Sequence, residues 1–153
     1  MTTIVYDHKN KQLAIDSRIN ANDIILTDSK IKWRRCKDGS LWFFTGSCSD
    51  ELELMELKHN DKPEVKPDSN ALIIKDGACW LATFNGDYCS HVELNYSHSI
   101  GTGWKFALSA LDFGATAREA VQHAAKRDIY TGGDIHVFCV ETGKQISNPI
   151  LER

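Results

Sequence analysis

The sequence predicts an α+β fold. Strand-like apolar runs are joined by the turn dipeptides Asp38-Gly39, Asp76-Gly77 and Asn85-Gly86, the mark of antiparallel hairpins. Helical periodicity is confined to separate groups, one beyond residue 47 and one beyond residue 103. The order is therefore strands, one helix, strands, two helices, strand, which indicates layers rather than an alternating βαβ chain. At 153 residues the chain fits one domain, 1–153, with a sizeable core.

Taken in order, Thr3 to Tyr6 and Leu13 to Asp16 are apolar runs separated by the polar turn Asp7-His8-Lys9-Asn10-Lys11. Strand-like segments follow at Asp23 to Leu26 and Ile31 to Cys36, and Leu41-Trp42-Phe43-Phe44-Thr45 reads as a buried strand. Gly46-Ser47 breaks it. Ser47 with Asp50 resembles a capping arrangement for a helix whose apolar face is Leu52 and Met55, with Leu54 a third candidate. His59 to Asn70, with Pro63 and Pro67, reads as a loop. Strands at Ala71 to Lys75, Ala78 to Phe84 and Tyr88 to Leu94 come next. A helix from Trp104 to Leu111 precedes a second that opens on the Thr116/Glu119 capping box. The second helix aligns Ala117, Ala120, Val121, Ala124 and Ala125 on one face. Ile135 to Val140 is the last strand.

Composition bounds the function. An apolar share of 42%, a charged share of 25% and a net charge of -3 are those of an ordinary soluble protein, with no strong pull towards nucleic acid or anionic membrane. The basic run Lys30-Ile31-Lys32-Trp33-Arg34-Arg35 has no basic or aromatic continuation that would make a nucleic-acid face. No stretch reads as a signal-peptide core or a bilayer span. Five scattered cysteines without a Cys-x-x-Cys pair predict reduced thiols and a cytoplasmic location. Cys89-Ser90-His91 offers two ligands at most, so neither a metal site nor a cofactor is expected.

The chemistry gathers on Thr2. Loss of Met1, favoured by a small second residue, puts a hydroxyl and a free α-amine on one threonine, and an N-terminal amine can serve as the base for its own hydroxyl. Such an amine has an ordinary pKa of about 7.7–8.0, and a nearby ammonium lowers it. Lys32 is a candidate for that charge and Asp16 for the carboxylate that holds Lys32. The plain alternative is a surface ion pair between strands, worth little.

Five segments spread along the chain resemble the proteasome β-subunit family and its simpler bacterial relative HslV, which are N-terminal-nucleophile (Ntn) hydrolases. Thr2-Thr3-Ile4-Val5 resembles the mature N-terminus. Ala14-Ile15-Asp16-Ser17-Arg18 is similar to the family's Ala-x-Asp-Ser-Arg segment, and Lys32 falls at the family's catalytic lysine. Thr45-Gly46-Ser47-Cys48-Ser49-Asp50 resembles the Ala-Gly-Gly-x-x-Asp turn. Arg127-Asp128-Ile129-Tyr130-Thr131-Gly132-Gly133 resembles the Arg-Asp-x-x-Ser-Gly-Gly signature.

The resemblance, closest to compact bacterial or phage-type members, implies a four-layer α-β-β-α sandwich of two antiparallel sheets. It also implies a threonine-type peptidase acting on peptides or unfolded protein through an acyl-enzyme. Thr2 is then the nucleophile, Lys32 and Asp16 tune it, and the Gly46 N–H holds the oxyanion. Asp128 and Thr131 orient the α-amine and a water, with Gly132-Gly133 letting their loop pass close to the N-terminus. Thr102 stands where the family has a serine, and Thr131 likewise; Ser47 replaces the second turn glycine. Lys30, Phe44 and Cys48 fall near the substrate side-chain pocket. A homo-oligomer, a ring in the family, and an unfoldase partner are implied, although the His59 to Asn70 loop replaces a second long helix and so shortens one helical layer. Two other readings stay open: an amidase for a small molecule, and a non-catalytic scaffold or inhibitor subunit.

Overall fold

Hairpin after hairpin builds two antiparallel sheets, whose apolar faces meet in the computed structural model, which describes residues 2–147. The first sheet begins with β1 (Thr3–Asp7), all five residues of which are buried, and β2 (Gln12–Ile15). Alternation along β1 sends Ile4 and Tyr6 to one face and Val5 to the other, as a strand period of two requires. A small separate hairpin follows, β3 (Ile19–Ala21) and β4 (Ile24–Thr27). Next come β5 (Trp33–Arg35) and β6 (Leu41–Gly46), a 3-10 turn at Cys48–Asp50 and the short helix α1 (Glu51–Glu56). β7 (Ser69–Lys75), β8 (Ala78–Asn85) and β9 (Tyr88–Glu93) complete the second sheet, in the order β5-β6-β7-β8-β9.

The chain then returns to the first sheet with β10 (His98–Gly101), crosses it with α2 (Trp104–Asp112) and α3 (Ala117–Arg127), and ends with β11 (His136–Cys139) and β12 (Gln145–Ser147). That sheet has the order β10-β1-β2-β11-β12, so β1 lies inside it, paired Thr3 to Gly101 on one side and Ile4 to Ile15 on the other.

Between the sheets Ile4, Tyr6, Leu13 and Ile15 face Leu41, Phe43, Leu72 and Ile74. Phe43 and Phe138 meet edge to face at 4.8 Å across the interface, a geometry aromatic rings favour. The outer face of the first sheet is covered by the small residues of α3, with Ala117, Ala120, Val121 and Ala124 packed on Val5, Ala14 and Val137. The Thr116/Glu119 capping box forms in both directions, satisfying two orphan N–H groups of that helix.

The opposite outer face is covered far less, because the fourth layer has shrunk to the six residues of α1. Here the sequence expectations need correcting. Leu54, not Leu52, is the buried residue: Leu54 is fully enclosed with Trp42, Phe44 and Ile73, while Leu52 is 61% exposed. The Ser47 hydroxyl meets Ser49 instead of capping the turn, and the Asp50 carboxylate takes the Asp68 N–H at 2.7 Å.

The 57–68 segment is a strap rather than a helix, and its Asn60 and Asp61 exchange hydrogen bonds with Cys89 at 2.7 Å each. This covers the otherwise open edge of β9. The expected strand at Asp23–Leu26 is one arm of the β3–β4 hairpin, turned through Asn22 at a φ of 54°. Three strands had no counterpart in the sequence reading, β3, β10 and β12. β10 lies among polar residues, and its strand character comes from pairing with β1. Removing the ring at the centre of the inter-sheet core tests this packing: Phe43→Ala is expected to lower unfolding free energy by about 3–5 kcal/mol, read by urea denaturation.

Candidate active site

Both sheets end at the same place, and that is where the chemistry-bearing residues collect. Thr2 lies immediately before β1 and Asp16 immediately after its partner β2, so antiparallel pairing brings residues fourteen apart into contact. Lys32 comes from the other sheet, one residue ahead of β5, with its carbonyl accepting from Phe44 N at 3.1 Å. Trp33 fixes that end of β5 between the layers, edge-on to His136 at 4.8 Å and to Phe138 at 5.0 Å.

The side chains converge. The Thr2 hydroxyl donates to Asp16 Oδ1, and the Lys32 ammonium donates both to Thr2 Oγ1 at 2.7 Å and to Asp16 Oδ1 at 2.8 Å. Asp16 Oδ1 also faces Thr3 N at 3.3 Å, and Oδ2 accepts from Gly132 N at 2.9 Å. Asp16 is fully buried, Thr2 is 1% exposed and Lys32 5%. The plain alternative of a surface ion pair is therefore set aside by the geometry. Burial holds the Lys32 ammonium below the ordinary lysine range; the Asp16 carboxylate offsets part of this, and Arg18 adds to the lowering.

A second network adjoins the first. Asp128 Oδ2 accepts from Thr102 at 2.6 Å and from Thr131 at 2.7 Å, while Oδ1 accepts from Tyr130 N. Since the Thr131 proton goes to Asp128, the 2.7 Å contact between Thr131 and Thr3 is a donation from Thr3. Asp128 and Thr131 thus grip the Thr3 side chain and Thr102. The Thr102 oxygen lies 3.4 Å from the Thr2 carbonyl. The two networks are joined through one peptide unit, Thr131-Gly132, whose hydroxyl serves one and whose N–H serves the other.

Residues without an assigned role in the sequence reading hold this loop. Arg18 pairs two-pronged with Asp28, Nε at 2.8 Å and Nη2 at 3.1 Å, and Nη1 donates to the Ile129 carbonyl at 3.2 Å. Ser17 donates to the Asp28 carbonyl at 2.7 Å. The expectation that Gly132-Gly133 lets the loop pass the N-terminus is corrected accordingly. A Cβ on Gly132 would meet Arg18 Cζ at 2.4 Å, and one on Gly133, at a φ of 76°, would meet the Asp28 carbonyl at 2.5 Å. The glycines make room for this clamp. Arg18 was visible in the Asp-Ser-Arg segment, but Asp28 becomes its partner only because the β3–β4 hairpin returns the chain to it.

Gly46 ends β6 at a φ of 104°, where a Cβ would meet the Asp68 carbonyl at 2.5 Å. Its glycine is required by backbone shape as well as by any approach of substrate. Of the expected pocket residues, Lys30 and Cys48 are exposed, and Cys48 is near enough to Lys32 to affect its charge. Phe44 is corrected: 2% exposed and packed with Trp42, Leu54 and Ala71, it belongs to the core under α1 and offers no wall to a ligand. Among the described residues no group of three or more His, Cys, Asp or Glu could hold a metal ion.

This architecture has known counterparts. HslV of the eukaryote Trypanosoma brucei superposes with a TM-score of 0.67 over 89% of this chain and 98% of that one, at 20% identity. The fold is that of the Ntn hydrolases. The BPH protein of Thiobacillus denitrificans, in complex with epoxomicin, matches with a TM-score of 0.66 over 90% of this chain and 97% of that one, at 16% identity. A second structure of BPH gives 0.63 at 17% identity, over 90% and 95%. No protein-family profile matches the sequence, and no curated protein is similar to it. The likeness therefore lies in the Ntn-hydrolase fold.

The clamp can be tested apart from any activity. Arg18→Ala is expected to speed amide exchange at Gly132 by roughly tenfold or more, leaving the β6–β8 amides unchanged in hydrogen-exchange mass spectrometry.

Proposed function

We propose that the protein is a threonine-type peptidase whose nucleophile is Thr2 after removal of Met1. The observation that carries this reading is the Thr2 hydroxyl held between the Asp16 carboxylate and the Lys32 ammonium in a buried site. A hydroxyl so held is aimed, and the Lys32 ammonium donating to Oγ1 favours negative charge developing on that atom.

The Thr2 α-amine takes the hydroxyl proton as Oγ1 attacks the peptide carbonyl. The Gly46 N–H stabilises the oxyanion. The amine returns its proton to the leaving nitrogen, and the C–N bond breaks to leave an ester on Thr2. Water then attacks the ester, giving a proton to the same amine; the C–Oγ1 bond breaks, the amine passes that proton to Oγ1, and the acid product departs with the Thr2 hydroxyl restored. Lys32 stays protonated and keeps the amine pKa low. Asp128, Thr131 and Thr102 anchor the start of β1, so that Thr2 keeps its place through both halves of the reaction.

Support also comes from the fold shared with HslV and with the protein that binds epoxomicin. Homo-oligomerisation and an unfoldase partner belong to the same proposal. So does the cytoplasmic setting.

Two measurements test it. Intact mass should reveal a chain lacking Met1 that gains one epoxomicin on incubation; Thr2→Ala should gain none, and Thr3→Ala should still react. A retained Met1 with no adduct overturns the reading. The second measurement is the pH profile of kcat/KM. Activity rises with pH as the amine loses its proton, so removing the neighbouring cation in Lys32→Met should move that rise to higher pH by about one unit. The same variant leaves Asp16 buried without its cation, and a stability loss of about 3–5 kcal/mol is expected beside the shift.

A further inference from the structure

A cavity of about 290 Å³ opens between the sheets beside the candidate nucleophile. The second sheet lines it with Thr45 of β6, Asn70 of β7, and Leu81 and Thr83 of β8. The first sheet closes it with β10, from His98 to Gly101, and Trp104 at the start of α2 forms the remaining wall.

Its position relative to Thr2 is set by strand order. Thr45 precedes Gly46, and Gly101 is paired with Thr3 and packed so tightly on Thr2 that a Cβ there would meet the Thr2 carbonyl at 2.0 Å. In the first sheet β10 lies on one side of β1, whereas β2 and Asp16 lie on the other. In the second sheet β7 and β8 lie on one side of β6, whereas β5 and Lys32 lie on the other. The cavity is thus on one flank of Thr2 in both sheets. Lys30 and Lys32 are on the opposite flank.

We infer that this cavity receives the side chain of the residue on the leaving side of the cleaved bond, and that it selects an uncharged, mainly apolar one. The inference rests on the peptidase reading and adds a leaving-side specificity to it. A peptide attacked at Thr2 must extend to both flanks, and the inference assigns its acyl part to the flank with Lys30 and Cys48. No Lys, Arg, Asp or Glu lines the cavity. His98 is half-buried, and burial keeps its ring below the ordinary histidine range, so it is uncharged at neutral pH.

A charged side chain entering there would lose water and meet no counter-ion. Leu81, Ile100 and Trp104 instead provide apolar wall. The Asn70 side-chain oxygen accepts from the Thr83 hydroxyl at 2.7 Å, which turns its amide N–H₂ towards a backbone or side-chain carbonyl of the leaving segment. The volume lies at the lower limit of ligand pockets, about 300–1,000 Å³, which suits one side chain rather than a whole cofactor.

The test uses three peptides identical on the acyl side and carrying Leu, Asp or Lys directly after the cleaved bond, with the matching acyl methyl ester as a substrate that has no leaving residue. The Leu peptide is expected to exceed both charged ones in kcat/KM by roughly tenfold to a hundredfold. Trp104→Ala should remove most of that preference, bringing kcat/KM for the Leu peptide down towards that of the charged ones. Equal kcat/KM for the three peptides, with the ester turned over normally, overturns the subsite while sparing the peptidase reading. A preference that survives in Trp104→Ala assigns it to another part of the protein and also overturns the subsite. No turnover of peptide or ester and no epoxomicin adduct would remove the peptidase reading, and the subsite with it.

Discussion

The burial of Asp16 with Lys32 is the constraint around which the molecule is organised. Removing two charges from water costs several kcal/mol each, and their mutual attraction compensates only when the remaining hydrogen-bonding capacity is also filled. Asp16 meets that condition through Thr2, Thr3 N–H, Gly132 N–H and Lys32. The donors come from three separate stretches of chain, Thr2-Thr3, Lys32 and Gly132. The pair can exist only if β1, β2, the start of β5 and the 131–133 loop all arrive together, so the folded state and the site are one event. A hydrophobic pair of similar volume could hold the sheets as well, which makes chemistry rather than stability the better reason for charges here.

The loop that supplies Gly132 depends on a chain of supports. Arg18, held by Asp28, donates to the carbonyl of Ile129, and the carbonyl of Asp28 receives the Ser17 hydroxyl and the Asp134 N–H. Arg18 is partly exposed and Asp28 more so, and the worth of their pairing lies in placement more than in ion-pair energy. A planar guanidinium reaching a carboxylate and a carbonyl at once can do this, whereas a lysine in the same position could not.

Legibility of the fold followed the strength of local signals. α3 could be read almost to the residue because its capping box and its alanine face are encoded locally and the protein uses both. The hairpins at Asp76-Gly77 and Asn85-Gly86 were readable because a tight turn demands particular residues. β10 was unreadable because nothing in His98-Ser99-Ile100-Gly101 favours a strand until β1 lies beside it. Leu54 was ranked behind Leu52 because a six-residue helix presents barely more than one turn, too short for periodicity to identify its inner face.

Within the site, Thr2, Asp16 and Lys32 were legible through their resemblance to a family pattern, and the structure brings them into contact. The roles of Arg18, Asp28 and Thr3 were not, since each depends on a partner distant in sequence. Phe44 was misread because the alternation along β6 sends it away from Thr2, towards α1.

The thinning of the fourth layer has a mechanical side. Where a second long helix could have lain, the chain crosses the outer face as a strap from the edge of β9 to the start of β7, pinned at one end by Cys89 and at the other by Asp68. The Asp68 carbonyl that ends the strap takes the Ser47 N–H at 2.6 Å and lies against Gly46. The turn carrying Gly46 is therefore held by hydrogen bonds to the end of a peripheral strap, whose conformational freedom Pro63 and Pro67 reduce. One continuous segment thus ties the outer edge at Cys89 to the turn that carries Gly46.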